Sequence, residues 1–329
     1  MEISIIIPVY NVEKYIIRCL NSIAEQTYTE SVECIIVDDC GSDGSMTLAK
    51  KFISDYQGNI QFKIVEHTKN RGLAAARNTG ISNAIGNYVL HIDSDDYCEP
   101  DMLASYLTKA KDTDADIVVS DFWYTYRDHE VYHTQTLSES KVQNVFDFFD
   151  HKLFTVNWNK FIRRHLYTEN NITYLEGYNY GEDMRVCFPL FFAAQKIVHI
   201  KKGFVHYVQY NENAYNRSLS KKSLEDYIVN LTEVEKTLRK YGYYNSCRDA
   251  ILSKELWLKK ILLLSSKGKL QKKWCKSFPL ADNYIMGSKQ KLLWKIVLFL
   301  ASKSILWPFN VCGYLLKLKT KEKYNRYSE

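Results

Sequence analysis

Residues 70 to 96 read NRGLAAARNTGISNAIGNYVLHIDSDD. The first part has helical periodicity, with Leu73, Arg77 and Ile81 along one face. The second part, residues 88 to 92, is a short apolar run that is typical of a buried strand and ends in three carboxylates. In open parallel sheets, ligands bind in the loops at the carboxyl ends of the strands. The stretch therefore predicts an α/β fold with a functional site at that edge.

The same alternation of apolar runs and helical patterns continues through the first 122 residues and predicts a doubly wound, mostly parallel sheet with helices on both faces. Asn11 is the predicted N-cap of the first helix, whose buried face carries Ile16 and Leu20. The predicted strands are Ile3–Val9, Val32–Val37, Phe62–Val65, Tyr88–Ile92 and Ile117–Ser120.

The second half of the chain divides into a mixed, aromatic-rich stretch and a helical stretch. No Pro/Gly/Ser-rich linker separates residues 142 to 217 from the sheet, so they are predicted to belong to the same domain. Helical periodicity follows over about 224 to 241, 247 to 265 and 289 to 306. The sequence thus predicts a catalytic domain at 1–219 and a helical region at 220–329.

Composition and charge narrow the class of protein. With 329 residues and 46% hydrophobic content, the chain can bury a large core. Its eight cysteines are scattered without a CxxC pair, and the apolar run at the start is broken by Pro8, so we expect reduced thiols, no signal peptide and a cytoplasmic protein. The net charge of +6 conceals +13 in residues 251 to 329 and −7 in the remainder. Nucleic acid and an anionic membrane are both possible partners for such a basic tail.

Polar or special residues follow four of the predicted strands: PVYN (8–11), DDCGSDGS (38–45), NRG (70–72) and DSDD (93–96). Each of the first three, taken alone, is more typical of a packing residue, a turn or a helix cap than of a functional site. DSDD carries more information, because three neighbouring carboxylates repel one another unless a cation or hydrogen bonds compensate them. It predicts a metal site.

Together, SIIIPVYN, VDDCGSDGS, the stretch from 70 to 96 and GEDMRV (181–186) resemble the family 2 glycosyltransferases with the GT-A fold, over about Ile3 to Arg217. The motifs occur in the family's order and approximate spacing. One departure is Cys40, which stands before Gly41 in the turn after Asp39.

The resemblance implies a role for each matched residue on the donor side. Pro8 and Tyr10 would flank the base of the donor nucleotide, Asp39 would accept a hydrogen bond from it, and Arg71 would help to select uracil. A carboxylate can recognise the imide N–H that uracil offers and cytosine lacks, so the expected donor is a UDP-sugar.

The resemblance also implies the metal ligands and the base. Asp95 would bind Mg²⁺ or Mn²⁺ directly, and Asp93 would reach both the ribose and the metal. Asp183 would be the base that deprotonates the acceptor hydroxyl, with Glu182 supporting it or binding the acceptor. The alternative is that Glu182 and Asp183 merely cap a helix.

Two further segments match more loosely. NWNK (157–160) lies where the family has acceptor-side residues, which makes Asn157 and Lys160 candidates. The segment 206 to 218 resembles a loop that closes over the pyrophosphate, so His206, Arg217 or Ser218 could contact phosphate. A lone histidine near an aromatic strand is more often structural.

Residues 292 to 316 are apolar but are interrupted by Lys295, Lys303 and Pro308, which disfavours a membrane-spanning helix. Trp294, Trp307 and the flanking lysines favour a helix at an anionic bilayer surface. The alternative is a helix that packs on the catalytic domain. We expect an enzyme on the cytoplasmic face of the inner membrane, with no nucleic-acid partner.

These observations predict an inverting, metal-dependent hexosyl- or N-acetylhexosaminyl-transferase that builds a bacterial surface polysaccharide on a glycan acceptor, which we expect to be lipid-linked. A nicotinamide-dependent oxidoreductase would need GxGxxG after the first strand, and a P-loop enzyme would need GKS or GKT; neither motif is present. Two alternatives stay open. A nucleotidyltransferase would release pyrophosphate from a nucleoside triphosphate, and an inactive nucleotide-sugar-binding protein would release nothing.

Overall fold

A computed structural model describes residues 1–212 and 220–315. Within these ranges nine strands form one sheet, in the order β3-β2-β1-β4-β8-β6-β9-β5, with β7 paired to β6. Strands β1 to β4 pair in parallel, whereas β8 runs antiparallel to both β4 and β6. The strands are β1 (Ile3–Val9), β2 (Val32–Asp38), β3 (Gln61–Glu66), β4 (Tyr88–His91), β5 (Tyr97–Cys98), β6 (Ile117–Thr125), β7 (Glu130–His133), β8 (Lys160–Arg163) and β9 (Ile197–Val208).

Helices cover both faces of this sheet. Ile5 and Ile7 of β1 belong to a buried cluster that includes Ile16 of the first helix. Ile6 points the opposite way, where a Cβ on Gly80 would lie only 2.2 Å from its Cγ2 atom. The α/β prediction is therefore confirmed. The helices up to residue 240 are α1 (Ile16–Ala24), α2 (Ser45–Asp55), α3 (Leu73–Asn83), α4 (Met102–Thr113), α5 (Lys141–Phe149), α6 (His165–Glu169), α7 (Glu182–Ala193) and α8 (Lys221–Lys240).

The prediction that Asn11 caps the first helix is wrong. Helix α1 begins at Ile16, directly after Tyr15. Asn11 lies in the left-handed region with φ of +53°, which asparagine tolerates better than most residues. Its Oδ1 atom accepts the Ser42 N–H at 2.7 Å, so Asn11 ties the loop after β1 to the loop after β2.

The chain divides into two compact units, residues 1–242 and 243–329. This division lies after α8, later than the predicted boundary at residue 219. Helix α8 belongs to the first unit, where Asp226 accepts the Asn179 N–H at 3.0 Å and Glu233 pairs with Arg185 at 2.7 Å.

The second unit is helical as far as the structure describes it. Its helices are α9 (Arg248–Ser265), α10 (Gly268–Cys275), α11 (Pro279–Tyr284) and α12 (Leu292–Ser302), and residues 307 to 315 are also helical. The helix predicted over 289 to 306 is therefore shorter. In the described ranges, no helix has the length and apolar character needed to cross a bilayer. All eight cysteines are free thiols.

Candidate active site

Asp39 joins the end of β2 to the start of α3. It is 3% exposed. Its Oδ1 atom accepts the Arg71 N–H at 2.8 Å and contacts Nδ1 of His67 at 2.7 Å, while Oδ2 accepts the Gly72 N–H at 2.8 Å. The carboxylate thus binds the two N–H groups that directly precede α3, near the helix N-terminus, where the helix dipole favours negative charge. A nucleobase would have to share Asp39 with these groups.

The turn before α3 depends on Gly72. This residue has φ of +86°, and a Cβ there would lie 2.4 Å from Nδ2 of Asn179. Its neighbour Arg71 forms two hydrogen bonds to Glu176, at 2.8 and 3.0 Å. Tyr10 is 49% exposed beside the same edge of the sheet, whereas Pro8 is buried within β1.

The three carboxyl groups of the acidic loop after β4 lie in two different environments. Asp96 is fully buried and its Oδ1 atom accepts the Val208 N–H at 2.8 Å. Burial, reinforced by the charges of Asp95 and Asp93, raises the pKa of Asp96 well above its usual range. Asp93 and Asp95 are half-buried. The third carboxylate of DSDD is therefore part of the core.

Asp93 and Asp95 fit a cation that takes its remaining ligands from a bound substrate. Asp95 accepts a hydrogen bond from Asn211 at 2.7 Å through Oδ2, and Asp93 accepts one from Arg77 at 2.9 Å through Oδ1. Burial and the charge of Asp93 raise the pKa of Asp95. A bound cation would stabilise the ionised form of this carboxyl group. Within the described part of the chain, no set of three or more His, Cys, Asp or Glu side chains could hold a metal without a substrate. Mg²⁺ is commonly held in this way, by one or two carboxylates together with phosphates.

Arg77 brings the two acidic motifs together. Its guanidinium group, on α3, donates from Nη1 to Glu182 at 2.6 Å and to Asp183 at 2.7 Å, and from Nη2 to Asp93 at 2.9 Å. Arg77 is 1% exposed. The loop after β4 and the start of α7 therefore meet at one buried cation, although they are about ninety residues apart in the sequence.

The two carboxylates at the start of α7 are poorly solvated. The helix begins after Gly181, which has φ of +75°. Burial, with the neighbouring Asp183 charge, raises the pKa of Glu182 to about 8. Burial also raises the pKa of Asp183, although Arg77 and a hydrogen bond from Asn157 oppose this shift. Both pKa values are raised above those of ordinary carboxyl groups, which is typical of groups that transfer protons.

The predicted acceptor-side residues have different environments. Asn157 is buried and donates through Nδ2 to Asp183 at 3.0 Å and to the Tyr174 hydroxyl at 2.8 Å. Lys160 is also buried, but its ammonium group donates to the carbonyls of Phe154 and Val156. Asn157 thus contacts the predicted base, and Lys160 shapes the loop that carries Asn157.

His206 lies in a separate cluster. Its ring nitrogens lie 2.8 Å from a Glu130 carboxylate oxygen and 2.9 Å from one of Glu99, and Tyr97 stacks on the ring at 4.3 Å. Neither nitrogen is available to a phosphate while these contacts hold. Arg217 and Ser218 lie outside the described residues.

Sequence reasoning missed Arg77 as a site residue and treated it as one position on a helical face. A signal was present, because an arginine directly after Leu73 and three alanines is a cation on a helix that is otherwise apolar there. Such a residue needs a buried anionic partner.

Comparison with known proteins identifies the family of this chain. Residues 4–172 match the family described as Glycosyl transferase family 2. The chain belongs to that family. Among the curated relatives, it is 31% identical over 212 residues to the putative glycosyltransferase EpsH of Bacillus subtilis, covering 62% of this chain and 60% of EpsH. It is 28% identical over 254 residues to glycosyltransferase GlyA of Streptococcus pneumoniae, covering 74% of this chain but 35% of GlyA. The chain thus spans less than two thirds of either relative.

Solved structures confirm the GT-A fold expected of a family 2 chain. The crystal structure of Staphylococcus aureus TarS residues 1–349 in complex with UDP-GlcNAc superposes with a TM-score of 0.72, covering 97% of this chain and 92% of that one. The sequence identity is 18%, so this likeness concerns the fold.

Proposed function

We propose that this chain is an inverting glycosyltransferase that moves a sugar from a UDP-sugar to a hydroxyl group of a glycan acceptor. One observation carries the proposal: Arg77 holds Asp183 beside Asp93, so a candidate base and a candidate metal ligand share one site. Inverting transfer needs one base and one stabilised leaving group rather than a protein nucleophile.

The donor side is proposed to bind the nucleotide through residues at three strand ends. Tyr10 offers an exposed ring for stacking, and Asp39 offers a fixed carboxylate at the start of α3. Arg71 would lie beside the base, where it pairs with Glu176. The TarS structure with UDP-GlcNAc supports UDP as the nucleotide, because that fold accommodates it.

Asp93 and Asp95 would hold Mn²⁺ or Mg²⁺. When bound, the cation neutralises the charge that develops on the diphosphate as it leaves. Asn211 and Arg77 each engage one oxygen of these carboxylates, which fixes their orientation before a substrate arrives.

Asp183 would accept the proton of the acceptor hydroxyl. The acceptor oxygen then forms a bond to the anomeric carbon, and the bond from that carbon to the diphosphate oxygen breaks with its electron pair on UDP. Both hydrogen bonds to Asp183, from Arg77 and Asn157, reach Oδ1. The Oδ2 atom is the one proposed to take the proton.

A panel of UDP-hexoses and UDP-N-acetylhexosamines, assayed for UDP release with and without Mn²⁺, tests this function. We expect release from at least one donor, dependent on Mn²⁺ and lost in Asp95→Ala. Asp112→Ala, a substitution at an exposed position of α4, is the matched control and should retain the parental rate. Pyrophosphate release from a nucleoside triphosphate, without UDP release, would instead identify a nucleotidyltransferase.

We also propose that the second unit docks on an anionic membrane surface at the cytoplasmic face, where a lipid-linked acceptor of surface-polysaccharide synthesis would be found. Its last helical segments expose large apolar side chains, including Leu292 at 68%, Leu293 at 60% and Trp307 at 71%. Residues 251 to 329 carry a net charge of +13. Exposed apolar groups beside cationic ones are typical of helices that lie at the bilayer interface. Trp294 differs from Trp307, because it packs on Phe309 with ring centroids 5.7 Å apart.

Sedimentation with vesicles tests the membrane proposal. The full chain should bind vesicles that contain phosphatidylglycerol more strongly than pure phosphatidylcholine vesicles, and the triple change Leu292→Ser, Leu293→Ser and Trp307→Ser should abolish the binding. Ile85→Ser removes an equally exposed apolar group from the first unit and should leave binding unchanged. If the triple variant bound these vesicles as strongly as the parental chain, the proposal would be contradicted.

A further inference from the structure

We propose that Arg77 is the positioning residue that aligns the acceptor-side base with the donor-side metal ligand. This inference rests on the proposed function, since it gives Arg77 a task in the same reaction. Arg77 matches none of the roles that the sequence motifs imply.

The guanidinium group reaches both sides of the site at once. Its Nη2 atom donates to Asp93, and its Nη1 atom donates to Asp183 and Glu182. The planar group fixes the separation and direction of these bonds. A shift of the loop after β4 therefore changes the position of the base, and the reverse also holds.

The charge balance explains why Arg77 stays in place. One buried cation faces three carboxyl groups, so the site keeps an excess of negative charge even while Glu182 holds its proton. Burial opposes ionisation of Arg77, but the charges of Asp183 and Asp93 raise its pKa well above the usual range. The guanidinium group is therefore a permanent cation, and the excess negative charge favours the binding of a further cation.

Neighbouring groups hold this arrangement rigid. The Tyr174 ring lies 5.5 Å from the guanidinium carbon, and its hydroxyl accepts a hydrogen bond from Asn157. Asn78, one residue after Arg77, bonds both the N–H and the C=O of Tyr174, at 2.9 Å each. Asn157 then provides the second donor to Asp183. Two donors on one oxygen fix the carboxylate in a single orientation.

The same helix also carries the Asp39 contacts. Asp39 accepts the N–H groups of Arg71 and Gly72 at the start of α3, and Arg77 follows one turn and a half later. Helix α3 thus connects the proposed nucleotide contact, the metal ligand and the base. Rigid support of this kind is what an in-line displacement requires.

Arg77→Lys separates charge from geometry, because lysine keeps the cation but lacks the two-ended planar group. We expect kcat to fall about 100-fold, the loss that a displacement of about 1 Å can cause. The KM for the UDP-sugar should stay within about threefold. Arg163→Lys, at the opposite edge of the sheet where Arg163 pairs with Asp116, should leave both constants at the parental values.

A double-substitution cycle tests whether Arg77 acts through Asp183. In the Asp183→Asn background, Arg77→Lys should lower the residual rate by less than about threefold, because the group that it positions is already lost. A further 100-fold loss in that background would overturn the proposal. So would a parental kcat in Arg77→Lys alone.

Thermal unfolding tests the link between Arg77 and Asp183 without any substrate. Arg77→Met should lower the melting temperature, and adding Asp183→Asn should restore part of the loss, because it removes one unpaired buried charge. Additive effects in this cycle would overturn the link between Arg77 and Asp183. Absence of UDP release by the wild-type chain would overturn the proposed function instead, so the two failures are distinguishable.

Discussion

Two buried cations, one in each unit, show how a reactive site differs from a structural one. Lys259, in the second unit, is fully buried. Its ammonium group donates to the carbonyls of Cys275 at 2.7 Å and Ser277 at 2.9 Å and to the Asp282 carboxylate at 2.6 Å. Three donors meet three acceptors, and one positive charge meets one negative charge.

Arg77 has the opposite balance. It faces three carboxylates, and its Nε atom is buried without a hydrogen-bond partner in the described part of the chain. A cluster that served stability alone would match its charges, as the Lys259 cluster does. The excess of carboxylates raises the free energy of the ligand-free fold, and a bound cation would compensate that excess. The imbalance therefore marks the site at which we expect chemistry.

The largest effect on stability is expected from removing Lys259, the buried cation whose charge is balanced by one carboxylate. Lys259→Met leaves Asp282 and two carbonyl groups without their donor, which should cost about 3 kcal/mol of the free energy of unfolding of the second unit. Urea unfolding followed by tryptophan fluorescence can measure this loss, because four of the six tryptophans lie after residue 242. UDP release by the folded variant should be unchanged.

Lys272→Met is the control for that measurement, because Lys272 is exposed on α10. It should unfold at the parental urea concentration. Equal unfolding curves for Lys259→Met and the parent would show that the matched cluster does not stabilise its unit, and the comparison with Arg77 would lose its reference.

A pH-dependent effect is expected from Glu182, the buried carboxyl group at the start of α7. Its pKa rises from 4.5 to about 8 on folding, so the folded chain holds a proton that the unfolded chain has lost between these values. Stability is therefore lost as the pH rises through that window, by at most about 1.4 kcal/mol per pH unit. Glu182→Gln keeps a neutral side chain at every pH. Its melting temperature should match the parent near pH 5 and exceed it near pH 8.

Glu225→Gln provides the control on the partly exposed face of α8, where Glu225 pairs with Lys221 at 3.8 Å. Its melting curve should follow the parent across the whole range. If the Glu182→Gln chain also followed the parent from pH 5 to pH 8, the Arg77 cluster would not carry the excess charge described above.

The smallest effect is expected from backbone strain at the edge of the site. Cys40 has φ of +55°, in the left-handed region that costs a side-chain-bearing residue roughly 1 kcal/mol. Cys40→Gly should raise the free energy of unfolding by about 0.5 kcal/mol. Glycine removes the backbone strain, but it also raises the conformational entropy of the unfolded chain, which offsets part of the gain. Chemical denaturation can measure the difference. A loss of stability would mean that the contact of the Cys40 sulfur with the His67 carbonyl outweighs the strain.

The sequence predicts the first half of the fold closely. Strand β1 has the predicted bounds, β2 is one residue longer at its end, and β3 is one residue longer at each end. These strands are predictable because continuous apolar runs between turn residues are a local signal. The sequence patterns predict no individual strands after residue 120. Strand β8 has four residues and pairs antiparallel with β4 and β6, and no local pattern specifies such long-range pairing.

The position of a candidate residue in the fold is predictable where that residue follows a strand, and its contacts are unpredictable where the partner comes from a distant part of the chain. Asp39, Asp93 and Asp95 follow from their positions after buried strands. The contact between Arg77 and Asp183 joins residues 106 positions apart, and the bidentate pair of Arg71 with Glu176 joins residues 105 apart. Such contacts depend on tertiary packing, which one sequence does not encode in any short pattern.

Asp183→Asn gives the most direct test of the central claim, with UDP affinity in the presence of Mn²⁺ and UDP release from a UDP-sugar measured on the same sample. The substitution keeps the shape of the side chain but removes the base. We predict parental affinity for UDP and a rate of release reduced about 10³-fold, within the range for loss of a general base. Release at the parental rate would contradict the assignment of Asp183 as the base.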